Sequence, residues 1–142
     1  MNVHRLRAHV AAACLALIAS LAACLIHSTP AKFLAYTPRP ERIGDPEAEV
    51  ARILKANTGR CIVEPAVEGT LLLVRSVCSG GDVDSRAVKL DKVDRIVIRQ
   101  WDEDFQVIVS HRGGDAEFTW ISSSRDDMER LADALTALST RP

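Results

Sequence analysis

The chain reads as an α+β protein: an antiparallel sheet of five or six strands flanked by an N-terminal and a C-terminal amphipathic helix. Three observations predict this. Apolar residues recur at helical spacing from Asp45 towards Gly59, short β-rich runs separated by turn signals fill 61–122, and helical spacing returns from Ser124 to Leu138. At 142 residues the chain is one domain long by the usual prior. Its order divides into an N-terminal segment over 1–23, a proline-containing tether over 24–44, and a small folded domain over 45–142.

The first helix has a marked start. Asp45 can cap it, Pro46 suits the first helical position, and Glu47 and Glu49 favour the positive end of the helix dipole. Val50, Ile53 and Leu54 share one face, and Gly59 offers a stop. Strands follow over Cys61–Val63, ending before Pro65, then Thr70–Cys78, Arg86–Leu90, Arg95–Trp101, Phe105–Arg112 and Glu117–Ser122. Ser79-Gly80-Gly81-Asp82 is a turn, and the last three strands form a meander through Asp102-Glu103-Asp104 and Gly113-Gly114-Asp115. Phe105, Val107 and Val109 alternate with Gln106, Ile108 and Ser110, while Phe118 and Trp120 oppose Glu117, Thr119 and Ile121. One sheet face is therefore apolar and the other mixed. The closing helix is capped by Ser123 or Ser124, charged by Asp126 and Asp127, and striped by Met128, Leu131, Leu135 and Leu138.

The N-terminus carries a separate signal. Arg5 and Arg7 precede a run from Val10 to Ile26 without charge, and no acidic residue comes before Glu41. A basic start, an apolar middle and small residues at its end make a secretory leader. Leu21-Ala22-Ala23-Cys24 closes that run and resembles the lipobox of bacterial lipoprotein precursors: an aliphatic residue, two small residues and the obligatory cysteine. The resemblance implies that Cys24 receives a diacylglycerol and becomes the first residue of the mature chain. It also implies a palmitate-bearing anchor in the cell envelope, and Leu25, where an Asp would mean inner-membrane retention, points to the outer membrane. Two other readings stay open. The uncharged run is just long enough for a retained signal anchor, and Ser20-Leu21-Ala22 could serve an ordinary signal peptidase. All three place the folded domain outside the cytoplasm.

Composition narrows the function. The charges are 18 basic and 19 acidic; without Arg5 and Arg7 the mature chain is near −3. No basic stripe is left for nucleic acid, whose phosphates demand clustered Lys and Arg. Cys61 and Cys78 are the cysteines of the folded part, and in an exported domain they pair as a disulfide. If their strands form a hairpin, both stand at its outer end. Neither a metal site nor thiol redox chemistry is indicated, since no CxxC spacing occurs.

Catalytic candidates are thin. His111 is the one histidine of the folded part, beside Arg112 at a strand end, with Ser110 on the opposite face. A nucleophile, a base and an orienting group are not juxtaposed in sequence, so no catalytic residue and no cofactor are assigned. Asp82, Asp84, Asp91, Asp94, Asp102, Glu103 and Asp104 read as solvated turn carboxylates; Asp82-Val83-Asp84-Ser85 lacks the Gly and distal Glu of a calcium loop. Trp101 and Trp120 pose the sharper question. If one stands on the open sheet face it can anchor a ligand or partner; otherwise Trp120 packs under the last helix and Trp101 caps the sheet edge. Phe33, Leu34 and Tyr36 are either interfacial aromatics and aliphatics near the membrane or part of a plain spacer.

Val88 through Leu138, a meander closed by an amphipathic helix, resembles the element order of bacterial PH-like domains, and implies that fold without implying a function. The expectation is a non-enzymatic envelope lipoprotein that works through protein contact, with the membrane and an envelope protein as partners. The alternatives are a lipid-anchored domain binding a small ligand, a signal-anchored membrane protein, and, third, a hydrolase.

Overall fold

The computed structural model describes residues 30–56, 59, 61–112, 114 and 116–141. Its elements are β1 (Lys32–Leu34), α1 (Pro46–Ala56), β2 (Cys61–Glu68), β3 (Leu71–Cys78), β4 (Val83–Lys89), β5 (Val93–Trp101), β6 (Asp104–His111), β7 (Ala116–Ser122) and α2 (Arg125–Ser139). The two helices start where local chemistry places them. Asp45 Oδ1 accepts the Ala48 amide at 3.0 Å, and Ser124 Oγ accepts the Asp127 amide at 3.1 Å, so each cap satisfies a backbone donor that the first turn leaves unpaired. Val50, Ile53 and Leu54 of α1 and Met128, Leu131, Leu135 and Leu138 of α2 are buried, as their spacing predicts.

Among the described residues seven strands form two antiparallel sheets, β1-β5-β6-β7 and β2-β3-β4. The class is α+β, but the single sheet of five or six strands is corrected. The chain changes sheet at the 3-10 turn Leu90–Lys92. Leu90 is buried there and its amide donates to the Thr70 carbonyl at 2.8 Å, which holds the end of β4 near the start of β3 while the chain leaves for β5. Alternation cannot reveal such a change, because a strand that opens a new sheet buries one face like a strand that extends the old one.

The core lies between these layers. Ile98, Val107, Val109 and Phe118 fill the inner face of the four-stranded sheet, and α2 covers them. Val63, Leu72, Val74 and Val88 contribute from the three-stranded sheet, and α1 packs against both α2 and β2. β2 continues through Pro65 to Glu68, beyond the stop expected after Val63. It is an edge strand, and at an edge the missing proline amide can face away from the ladder.

The tether assigned to 24–44 is corrected over its second half. Lys32, Phe33 and Leu34 pair with Gln100, Arg99 and Ile98 of β5. Leu34, Tyr36 and Ile43 pack on the core, and Pro40–Arg42 makes a 3-10 turn. Prolines at 38 and 40 disfavour a continuous α-helix here, yet an irregular strap can still bury side chains against an existing core.

Candidate interaction surface

The outer face of the four-stranded sheet follows from its register. One row across it reads Phe33, Arg99, Gln106, Ile121; Trp101 and Asp104 pair in the next row, and Val97, Ile108 and Thr119 lie on the other side. These residues alternate with the core-facing Ile98, Val107 and Phe118, so they point away from the interior. Phe33, Trp101 and Ile121 are 60%, 52% and 50% exposed. A tight turn over Asp102–Glu103 puts Trp101 at the last paired position of β5. Asp102 takes a φ of 52° there, a left-handed conformation that Asp tolerates better than most residues.

Charge is threaded through this face. Arg99 Nε donates to Gln106 Oε1 at 2.9 Å, so a neutral amide orients the guanidinium and leaves its charge in place. A groove of about 260 Å³ runs beside it, lined by Trp101, Asp102, Asp104, Gln106 and Ile121. Trp120 is placed differently: it faces the core side, half-buried, with its ring stacked on Phe118 at 6.2 Å between centroids. Trp101 thus stands on the open face and does not cap an edge.

A second apolar row crosses the three-stranded sheet, where Ile62, Val77 and Val83 are register partners and Ile62 and Val83 are exposed. It adjoins the Cys61–Cys78 disulfide, whose residues are directly opposed at the end of the β2–β3 hairpin with Cα atoms 3.9 Å apart. The expected bridge is therefore present. Gly81, at a φ of 82°, lets the chain reverse after it, and the Cys78 amide donates to the Asp82 carbonyl at 3.0 Å.

One polar site escaped the sequence reading. Asp133, on α2, is fully buried, and its Oδ1 accepts the Tyr36 hydroxyl at 2.6 Å and the Arg39 amide at 2.7 Å; Arg42 Nη1 lies 3.6 Å from Oδ2. Burial, and then the hydrogen bond to this carboxylate, push the Tyr36 hydroxyl up to about 12. Tyr36 therefore locks the strap to the helix instead of facing a membrane. The signal was a lone acid set among Leu131, Ala132, Ala134 and Leu135.

The remaining candidates stay apart. His111 Nδ1 lies 3.2 Å from Glu117 Oε1. Asp84 pairs with Arg86 at 2.9 Å, Asp91 with Lys92 at 3.4 Å and Asp94 with Arg112 at 3.7 Å. Among the described residues no group of three or more His, Cys, Asp and Glu gathers as metal ligands, and no helix is long and apolar enough to cross a membrane. Cys24 and the leader lie outside the described residues. Comparison with protein-family models, curated proteins and solved structures finds no match to this chain.

Proposed function

We propose that this chain is an envelope lipoprotein, anchored through Cys24, whose domain sits outside the cytoplasm and works by protein contact without catalysis. The observation that carries the reading is the Cys61–Cys78 bridge in a chain that begins with an apolar leader ending in Leu21-Ala22-Ala23-Cys24. Disulfides persist in oxidising compartments outside the cytoplasm, and the leader supplies the route there. Ile62 and Val83, left exposed side by side with Val77 on the three-stranded sheet, support a role in protein contact. The PH-like element order adds a fold analogy and no activity.

The test begins with Cys24→Ala. The variant loses acyl labelling in cells and accumulates as unprocessed precursor; labelling that persists rules this cysteine out. Crosslinking in the intact envelope then captures the protein partner. A groove of about 400 Å³ between α1 and β2, bordered by Asp45, Glu47, Val50, Pro65 and Val67, favours a second reading, a lipid-anchored domain that takes a small ligand. Native mass spectrometry of protein taken from its own envelope distinguishes the two by the added mass.

A further inference from the structure

We infer that the open face of the four-stranded sheet, with Phe33, Trp101 and Ile121, rests on the zwitterionic surface of the bilayer that holds the N-terminus. The inference depends on the membrane-anchored reading above and adds which face meets the lipid.

The chain joins the fold at Lys32, opposite Gln100 and one position short of Trp101. Lys32 lies eight positions after Cys24, so the link spans at most about 29 Å when fully extended. That is no more than the width of a small domain, about 30 Å. A retained anchor ending at Ile26 would shorten the link to six positions, about 22 Å. Either way the β1 end of the sheet is held beside the bilayer. Among the described residues, three of the five large apolar side chains that are at least half exposed share the outward face of this sheet, Phe33 on β1 and Ile121 on β7 in one row across it and Trp101 in the next.

The chemistry of the patch fits a headgroup layer. Tryptophan, an apolar ring with one polar N–H, settles at the membrane–water interface, and Phe33 and Ile121 add apolar surface beside Trp101. Arg99 and Arg95 share the face and suit phosphate, whereas Asp102 and Asp104 border the groove and suit the ammonium of a zwitterionic headgroup. The link also keeps the domain at high effective concentration near the lipid, so three shallow side chains are enough to hold an orientation that a free domain would not keep.

The experiment uses the full lipidated chain reconstituted into phosphatidylcholine vesicles whose acyl chains carry bromine near the headgroup. Flotation reports anchoring, and tryptophan quenching reports docking. With Trp120→Phe, leaving Trp101 as reporter, emission falls on moving from plain to brominated vesicles; with Trp101→Phe, leaving Trp120, it is unchanged. Flotation without quenching of Trp101, or equal quenching of both reporters, overturns the docking and leaves the anchor standing. Failure to float overturns the anchor and the docking with it. Because Trp120→Phe touches the core, a photo-crosslinking residue at Ile121 in cells gives a second reading: lipid adducts support the inference, and adducts to an envelope protein or to a second copy overturn it.

Discussion

Asp133 shows how one residue can join two distant parts of the chain. A carboxylate removed from water is tolerated only when donors or opposite charge face it, and here the strap supplies the Tyr36 hydroxyl and the Arg39 amide as donors to Oδ1 and the Arg42 guanidinium as a counter-charge near Oδ2. Asp133→Ala strands the Tyr36 hydroxyl and the Arg39 amide and costs about 2–4 kcal/mol in urea unfolding, while Asp133→Asn keeps an acceptor and costs less, about 1 kcal/mol. The same contact has a spectroscopic signature. Tyr36 is the single tyrosine of the chain, so phenolate absorbance reads it alone. Its folded value, about 12, lies above the ordinary 10.0. The stabilisation is therefore full below pH 10 and fades as the pH rises through 12. In Asp133→Asn the titration moves back towards 10; an unchanged midpoint would show that the carboxylate does not raise it.

Between elements, charge and a covalent bond act where the apolar core stops. Glu49 of α1 accepts from Arg52 at 2.8 Å and from Arg130 of α2 at 2.5 Å, and Arg52 reaches Asp127 of α2 at 2.8 Å. Hydrogen bonds from Arg52 and then Arg130 lower the Glu49 carboxyl to about 2. Because the folded value is depressed, the contribution is full above about pH 4.5, the ordinary value, and is lost as the pH falls through 2. Glu49→Gln destabilises by about 1–2 kcal/mol at neutral pH, discounted for the half-exposed Arg52. The gap between variant and wild type closes in acid, and a gap that persists at pH 2 would sink this account. The Cys61–Cys78 bridge closes a separation of 17 residues, worth about 3 kcal/mol in unfolded-state entropy. Cys61→Ser with Cys78→Ser lowers stability by that order, and reductant leaves the double variant unaffected.

At the scale of the molecule, the strap decides where the domain begins. Ala31–Pro142 is one compact unit, with β1 on the edge of the four-stranded sheet and Leu34, Tyr36 and Ile43 against the core. A tether ending at Gly44 predicts that residues 31–44 can be removed without loss. The structure predicts the opposite: a chain starting at 45 is less stable than one starting at 31 by about 3 kcal/mol, roughly 12–24 °C in melting temperature. Equal melting of the two would return the strap to the role of spacer. The same strap passes any pull at Lys32 on to β5 and, through Tyr36 and Asp133, to α2.

What could be read along the chain is what local physics settles. Asp45 and Ser124 cap because their side chains reach amides three residues on. The Leu131–Leu138 stripe is buried because 3.6-residue spacing aligns it, and Cys61 meets Cys78 because one hairpin register opposes them. The division into two sheets, the strand at Lys32–Leu34 and the locking of Tyr36 to Asp133 are of another kind. Each depends on a partner far away in sequence, 97 positions for Tyr36 and Asp133. Trp101 joins Phe33 and Ile121 for the same reason: alternation assigns each side chain to a face, but only the pairing of β1, β5, β6 and β7 makes those faces one surface. Spacing and caps act over one or two turns of chain, whereas surfaces and buried charges are made by non-local packing, which no window of sequence contains.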